Sequence, residues 1–201
     1  MLVRDVMQCH VVTVTPTTTL PDAVRLAAER NVRHLPVMDG DDLVGIVSDR
    51  DLKRAMASSA ATPLTVAEFM SKPVMTIGRT FPVEHAAHTM VTEKISALPV
   101  TEGGRLIGIV TETDVLRLFV KTLGASEPST RLDVMLGESP SALADAIHAV
   151  EESGATVSSI VSLKHDRGLR EAVIRIATID PRAALAALHA RDYTVRHSWR
   201  G

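Results

Sequence analysis

Short β-branched runs alternate with amphipathic stretches along the chain, a pattern that predicts a mixed α/β protein of the α+β kind. Val11–Val14 reads as a brief strand, followed by a turn and a helical stretch in which Ala23, Val24 and Ala27 recur near the 3.6-residue period. Two further strands, Leu35–Met38 and Leu43–Val47, flank the turn residues Asp39-Gly40-Asp41, and a helix is predicted from Asp49 to Met56. The same order then returns. Val74–Ile77 precedes a helical stretch carrying Ala86, Ala87 and Met90. Strands Leu98–Thr101 and Leu106–Val110 enclose the turn Glu102-Gly103-Gly104, and a helix is predicted over Glu112–Leu123. Residues 57–63 and 124–130 are rich in small and turn-forming residues and read as linkers.

This recurrence is a sequence duplication. Shifted by 63 positions, residues 3–56 fall on 66–119 without a gap, and sixteen of the 54 aligned pairs are identical. Two tandem β-α-β-β-α units are therefore expected at 1–60 and 64–123. Residues 130–201 match neither copy and form a third unit. There Arg131–Leu136 reads as a strand, and Ser139 as the cap of a helix opening at Pro140, with Leu143, Ile147 and Val150 as its apolar stripe. Thr156–Leu163 and Leu169–Ile179 read as a hairpin about His165-Asp166-Arg167-Gly168. Asp180-Pro181 starts a second helix, and Tyr193–His197 is the last strand. That β-α-β-β-α-β order predicts a ferredoxin-like domain.

Composition narrows the function. Of the 201 residues, 45% are hydrophobic and 23% charged, which supports packed cores and excludes disorder as the main theme. A net charge of −2 supplies no basic field for nucleic acid or anionic lipid, and an aromatic content of 2% is poor material for base-stacking platforms. Apolar runs such as Leu106–Val110 are far short of the roughly 20 residues that span a bilayer. The first residues lack the apolar core of a signal peptide, and the single Cys9 has no disulfide partner, so a cytoplasmic location is expected.

The duplicated chemistry sits in Gly45-Ile46-Val47-Ser48-Asp49-Arg50-Asp51 and Gly108-Ile109-Val110-Thr111-Glu112-Thr113-Asp114. In each, a strand ends at a hydroxyl, a helix begins, and an Asp follows three positions later. One reading is a helix-capping box. The other is a nucleotide site, in which the hydroxyl and helix-start N–H groups attract phosphate while the carboxylate accepts from two ribose hydroxyls. Two features favour the second. Capping boxes prefer Glu or Gln where both copies carry Asp, and a Gly at the strand centre suits close approach of a ligand or another backbone.

Recurring in register, each time after a Leu-Pro-Val strand, this signature resembles a tandem pair of CBS domains. The third unit is similar to an ACT domain, and the whole order resembles the acetoin-utilisation B-type proteins. The resemblance implies two clefts about a pseudo-twofold axis, each able to take AMP, ATP or another adenosine derivative. It implies Asp51 and Asp114 on ribose, and Ser48 and Thr111 on phosphate or sugar. Thr13, Val14, Leu35 and Pro36 would wall the base in the first cleft, and Thr76, Ile77, Leu98 and Pro99 in the second; Asp49 and Ala97 complete the candidates. The copies differ in charge. Arg33, His34 and Arg50 stand where the second copy has Ser96, Ala97 and Thr113, so the first cleft is expected to take the phosphorylated ligand. In the ACT-like unit Pro140 is followed by Ser141 rather than the family's Gly, which argues for side-by-side dimerisation over amino-acid binding.

No phosphate-binding Gly-rich loop, nucleophile elbow or zinc-protease motif is present. His85 and His88 share a helical face without a third ligand at metal spacing, and Cys9 has no His partner. The expectation is a non-enzymatic, homodimeric sensor of an adenine nucleotide or adenosyl ligand. It requires no cofactor, nucleic acid or membrane, and acts on a protein target, with acetoin or related carbon catabolism implied by family resemblance. The competing expectation is a constitutive dimeric scaffold with empty clefts.

Overall fold

Each copy of the repeat is built on one antiparallel hairpin with a helix before it and a helix after it. In the first copy these are α1 (Leu20–Glu29), β1 (His34–Asp39), β2 (Asp42–Ser48) and α2 (Asp49–Ser58). In the second they are β3 (Ile77–Gly78), α3 (Val83–Glu93), β4 (Ala97–Glu102), β5 (Arg105–Thr111) and α4 (Glu112–Thr122). The computed structural model describes residues 1–58, 64–125, 127–164 and 170–200. Two units are distinguished, Met1–Leu116 and Arg117–Gly201, with the boundary inside α4.

Local chemistry accounts for the elements. Thr19 caps α1 by accepting the Asp22 N–H, with Pro21 in the first turn where its missing donor costs nothing. The apolar stripe Leu20, Ala23 and Ala27 then packs on Leu35, Val37, Val47 and Leu52. In the second copy Ala86 and Met90 pack on Leu98, Val100 and Val110. The expected strands ahead of these helices are mostly absent. Val14 alone bridges Val37, and β3 is two residues long beside β4. Residues 11–13 and 74–76 run past the hairpins without a ladder partner, so β-branched composition by itself does not make them strands.

The leading segments cross over between the copies. The first eight residues, which the duplication assigns to the first copy, pack on the second: Val3 enters the core around Ile77 and Val100, and Gln8 bridges the β5 edge at Ile109. Residues 64–71 do the reverse, with Val66 in the core around Leu35 and Ser71 bridging Ile46 on β2. This exchange explains Gly45 and Gly108. A Cβ on Gly45 would lie 2.4 Å from the Met70 sulfur, and one on Gly108 would lie 2.8 Å from the Met7 sulfur and 3.1 Å from the Gln8 carbonyl oxygen. The glycines make room for the crossing chain, not for a ligand.

The second unit is a four-stranded antiparallel sheet, β7-β8-β6-β9, formed by β6 (Thr130–Leu136), β7 (Val157–Lys164), β8 (Arg170–Ile176) and β9 (Thr194–Arg200). Helices α5 (Ala142–Glu152) and α6 (Arg182–His189) close a core with Leu132, Val134, Ala172, Ile174 and Ile176. The expected start of the first helix is corrected. Ser139 is not its cap and Pro140 lies in a turn, because the Ser139 hydroxyl accepts from Ser141 N–H and its carbonyl from Ala142 N–H before the helix begins. The hairpin turn 165–168 and most of the linker 57–63 lie outside the described residues. Among the described residues no helix is long and apolar enough to cross a membrane.

Gly45→Ala is expected to destabilise the first unit by about 1–3 kcal/mol through overpacking against Met70. In a Met70→Ala background the same change should be nearly neutral, because the colliding side chain is gone. Urea unfolding of the four-member cycle checks both.

Candidate functional site

A cleft of about 400 Å³ opens where the two copies meet, within the range that encloses small ligands. One wall comes from the first copy: His34 at the start of β1, Ile46 and Ser48 on β2, and Arg50 and Asp51 in the first turn of α2. The other comes from the second copy: Pro73, Val74 and Met75 ahead of β3, and Glu93 through Ala97 between α3 and β4. His34 pairs with Ser48 across the hairpin, which brings strand start, strand end and helix start to one corner.

At that corner the hydroxyl–carboxylate pair is first a helix cap. Ser48 Oγ accepts the Asp51 N–H at 3.2 Å and donates to Asp51 Oδ2 at 2.5 Å. In the second copy Thr111 Oγ1 accepts the Asp114 N–H at 3.3 Å, while Asp114 Oδ2 accepts from Thr111 Oγ1 at 2.6 Å and Thr111 N at 2.9 Å. Capping uses one carboxylate oxygen and leaves Oδ1 for other partners, so the two readings of the motif are compatible.

The expected groupings are redrawn. Ser48, Arg50, Asp51 and His34 do meet in one cleft, but its opposite wall belongs to the second copy and includes the candidate Ala97. Leu35, Pro36, Leu98 and Pro99 are buried in their own copies, as is Ile77, while the largely buried Val14 reaches the edge of a surface depression beside Thr13. Thr13 and Thr76 line two separate shallow depressions. Asp49 pairs with Lys53 along α2 at 2.7 Å. Arg33 is turned to the other side, donating to Thr113 Oγ1 at 2.7 Å, so it does not join Arg50 in a single cationic site. Pro73, Val74, Met75 and Ser96 went unrecognised as wall residues, because periodicity within one copy says nothing about which copy supplies the facing wall. His85 and His88 are exposed on α3, His85 stacked on Phe81, and Cys9 is exposed. The described residues hold no group of three or more metal-ligating side chains.

His34 stands at the seam between the copies, its Nε2 sharing a 2.8 Å hydrogen bond with Ser96 Oγ. Burial, reinforced by the neighbouring Arg33 charge and partly offset by Asp51, lowers its pKa from the ordinary 6.5. Just below that pH the unfolded chain binds a proton that the folded chain resists. Stability is therefore complete above 6.5 and falls as the pH drops below it. Urea midpoints measured across that pH should show this loss for the natural protein and a flatter profile for His34→Gln.

The sequence profile of the CBS domain matches residues 3–58 and again 66–121. A CBS domain-containing protein of Dictyostelium discoideum is 33% identical over 64% of this chain and 98% of its own length. L-aspartate semialdehyde sulfurtransferase of Methanocaldococcus jannaschii is 33% identical over 59% of this chain, which spans only 23% of that enzyme. Among solved structures, a CBS domain pair in complex with 5′-methylthioadenosine and S-adenosyl-L-methionine superposes with a TM-score of 0.56 at 32% identity, covering 63% of this chain and 98% of that one. A Vibrio cholerae protein named for acetoin utilization gives 0.58 at 33%, covering 63% and 96%. A CBS protein in complex with AMP gives 0.53 at 32%, covering 60% and 96%. With two tandem matches over more than half its length, laid on paired hairpins that share their leading segments, the chain belongs to the CBS domain family.

Proposed function

We propose that the chain is a non-catalytic sensor of an adenosine-containing ligand, held between its two CBS repeats. The observation that carries this reading is the junction cleft itself, where the Ser48–Asp51 corner of one repeat faces the Pro73–Met75 and Ile95–Ala97 wall of the other. Asp51 supplies the acceptor a ribose diol needs, the short apolar wall suits a flat base, and Arg50 and Lys94 supply charge for an anionic 5′ substituent. Glu93 on the same rim limits how much negative charge the cleft tolerates. Related CBS structures with bound AMP, S-adenosyl-L-methionine and 5′-methylthioadenosine support the ligand class.

The second unit completes the sensor in this reading. Its order, β7-β8-β6-β9 with both helices packed into one core, suits a ferredoxin-like domain of the ACT type. The loop after β6 is an unpromising amino-acid site, since Arg170 donates to the Gly137 and Ser139 carbonyls there. Homodimerisation through the sheets, with ligand state passed to a protein target in the cytoplasm, is the more economical role. The likeness to a protein named for acetoin utilization covers 63% of this chain, so a place in that catabolism is proposed on that part alone.

Thermal unfolding with AMP and with S-adenosylmethionine tests the reading. At about 100 times its dissociation constant, a ligand adds about 2.7 kcal/mol, a shift of several degrees. The shift should vanish in the Asp51→Ala/Asp114→Ala double variant. Absence of any shift in the natural protein favours the constitutive scaffold.

A further inference from the structure

We propose that the two hydroxyl–carboxylate corners are unequal: the Asp51 cleft is the ready site, and the Asp114 corner is latched by the Gln8 side chain, which a second ligand must displace. The inference rests on the adenosine-ligand reading above and concerns how that ligand is distributed.

The difference lies in the carboxylate oxygen that capping leaves over. Asp114 Oδ1 accepts a hydrogen bond from Gln8 Nε2 at 3.1 Å, and the residue is 5% exposed. Asp51 is half-buried, and among the described residues its Oδ1 accepts no hydrogen bond, its carboxylate interacting with His34 through charge alone. The duplication places Ser71 at the position of Gln8. Both residues bridge a strand edge through their backbones, Gln8 to Ile109 at 2.8 and 3.0 Å and Ser71 to Ile46 at 2.8 and 3.2 Å. The backbones are therefore equivalent, and only the longer side chain carries an amide to the carboxylate. The pinned backbone brings the amide within reach, so only the side-chain rotamers remain to be ordered.

The cationic groups divide the same way. Arg33 is committed to Thr113 Oγ1 beside Asp114. Arg50, the counterpart of Thr113, lines the Asp51 cleft and makes no hydrogen bond among the described residues. One corner thus has its ribose acceptor and its cation uncommitted, and the other has both engaged internally. A ligand at the Asp114 corner must break an amide–carboxylate bond first, which weakens it by roughly ten- to a hundredfold.

Calorimetric titration of the full chain with AMP, and separately with S-adenosylmethionine, decides the matter. The natural protein should take one ligand per chain, retained in Asp114→Ala and lost in Asp51→Ala. Gln8→Ser, which copies the counterpart residue and keeps the backbone bridge, should tighten the second site by roughly ten- to a hundredfold and raise the stoichiometry to two. Gln8→Ser/Asp114→Ala should return it to one. Two equal sites in the natural protein, a tight site lost in Asp114→Ala but kept in Asp51→Ala, or no second site in Gln8→Ser would each overturn the latch while leaving the ligand class standing. No binding of either probe by any variant overturns the ligand reading and the latch together. Should Asp114→Ala fail to fold, because Asp114 also caps α4, the Gln8→Ser stoichiometry decides alone.

Discussion

Two methionine–glycine contacts hold the CBS pair together as one folded unit. Met70 lies over Gly45 and Met7 over Gly108, each at a distance no side chain on the glycine would permit. Around them the leading segment of each repeat donates a valine to the other's core and a backbone bridge to the other's sheet edge. A repeat without its partner would lose both and expose an unpaired edge. The exchange also sets where Gln8 and Ser71 arrive, since each follows its methionine by one residue.

The same helix starts serve stability and chemistry at once. A hydroxyl three residues before an Asp satisfies orphan N–H groups at the head of a helix, and one carboxylate oxygen is enough for that work. The second oxygen is surplus to folding, so its environment can diverge between the copies without disturbing the cap. In one copy it faces a junction cleft; in the other it meets an amide from the crossing segment. Divergence of two duplicated sites thus requires only side-chain changes on a shared backbone.

The second unit obeys a separate logic. Its core is aliphatic on one face of the sheet, from Leu132 and Val134 to Ile174 and Ile176, with two alanine-rich helices that pack closely because their side chains are small. Its polar residues are spent on holding loops, with Arg175 on Ser129 and Arg170 on the carbonyls after β6.

Much of this was legible in the chain. The duplication, both hairpins, the helices after them, the element order of the third unit and the Ser48–Asp51 and Thr111–Asp114 pairs follow from periodicity and spacing, since those report short-range geometry. Which surfaces face each other did not. Arg33 and Arg50 are neighbours in the pattern yet stand at opposite corners, Leu35 and Pro36 lie buried, and the wall facing Asp51 at Pro73–Met75 comes from the other copy. A repeat in sequence defines equivalent positions, whereas the cleft is made of inequivalent ones brought together by the packing of the two copies. That pairing, and with it the reach of Gln8 to Asp114 across 106 residues, was decided by long-range packing of the crossed segments.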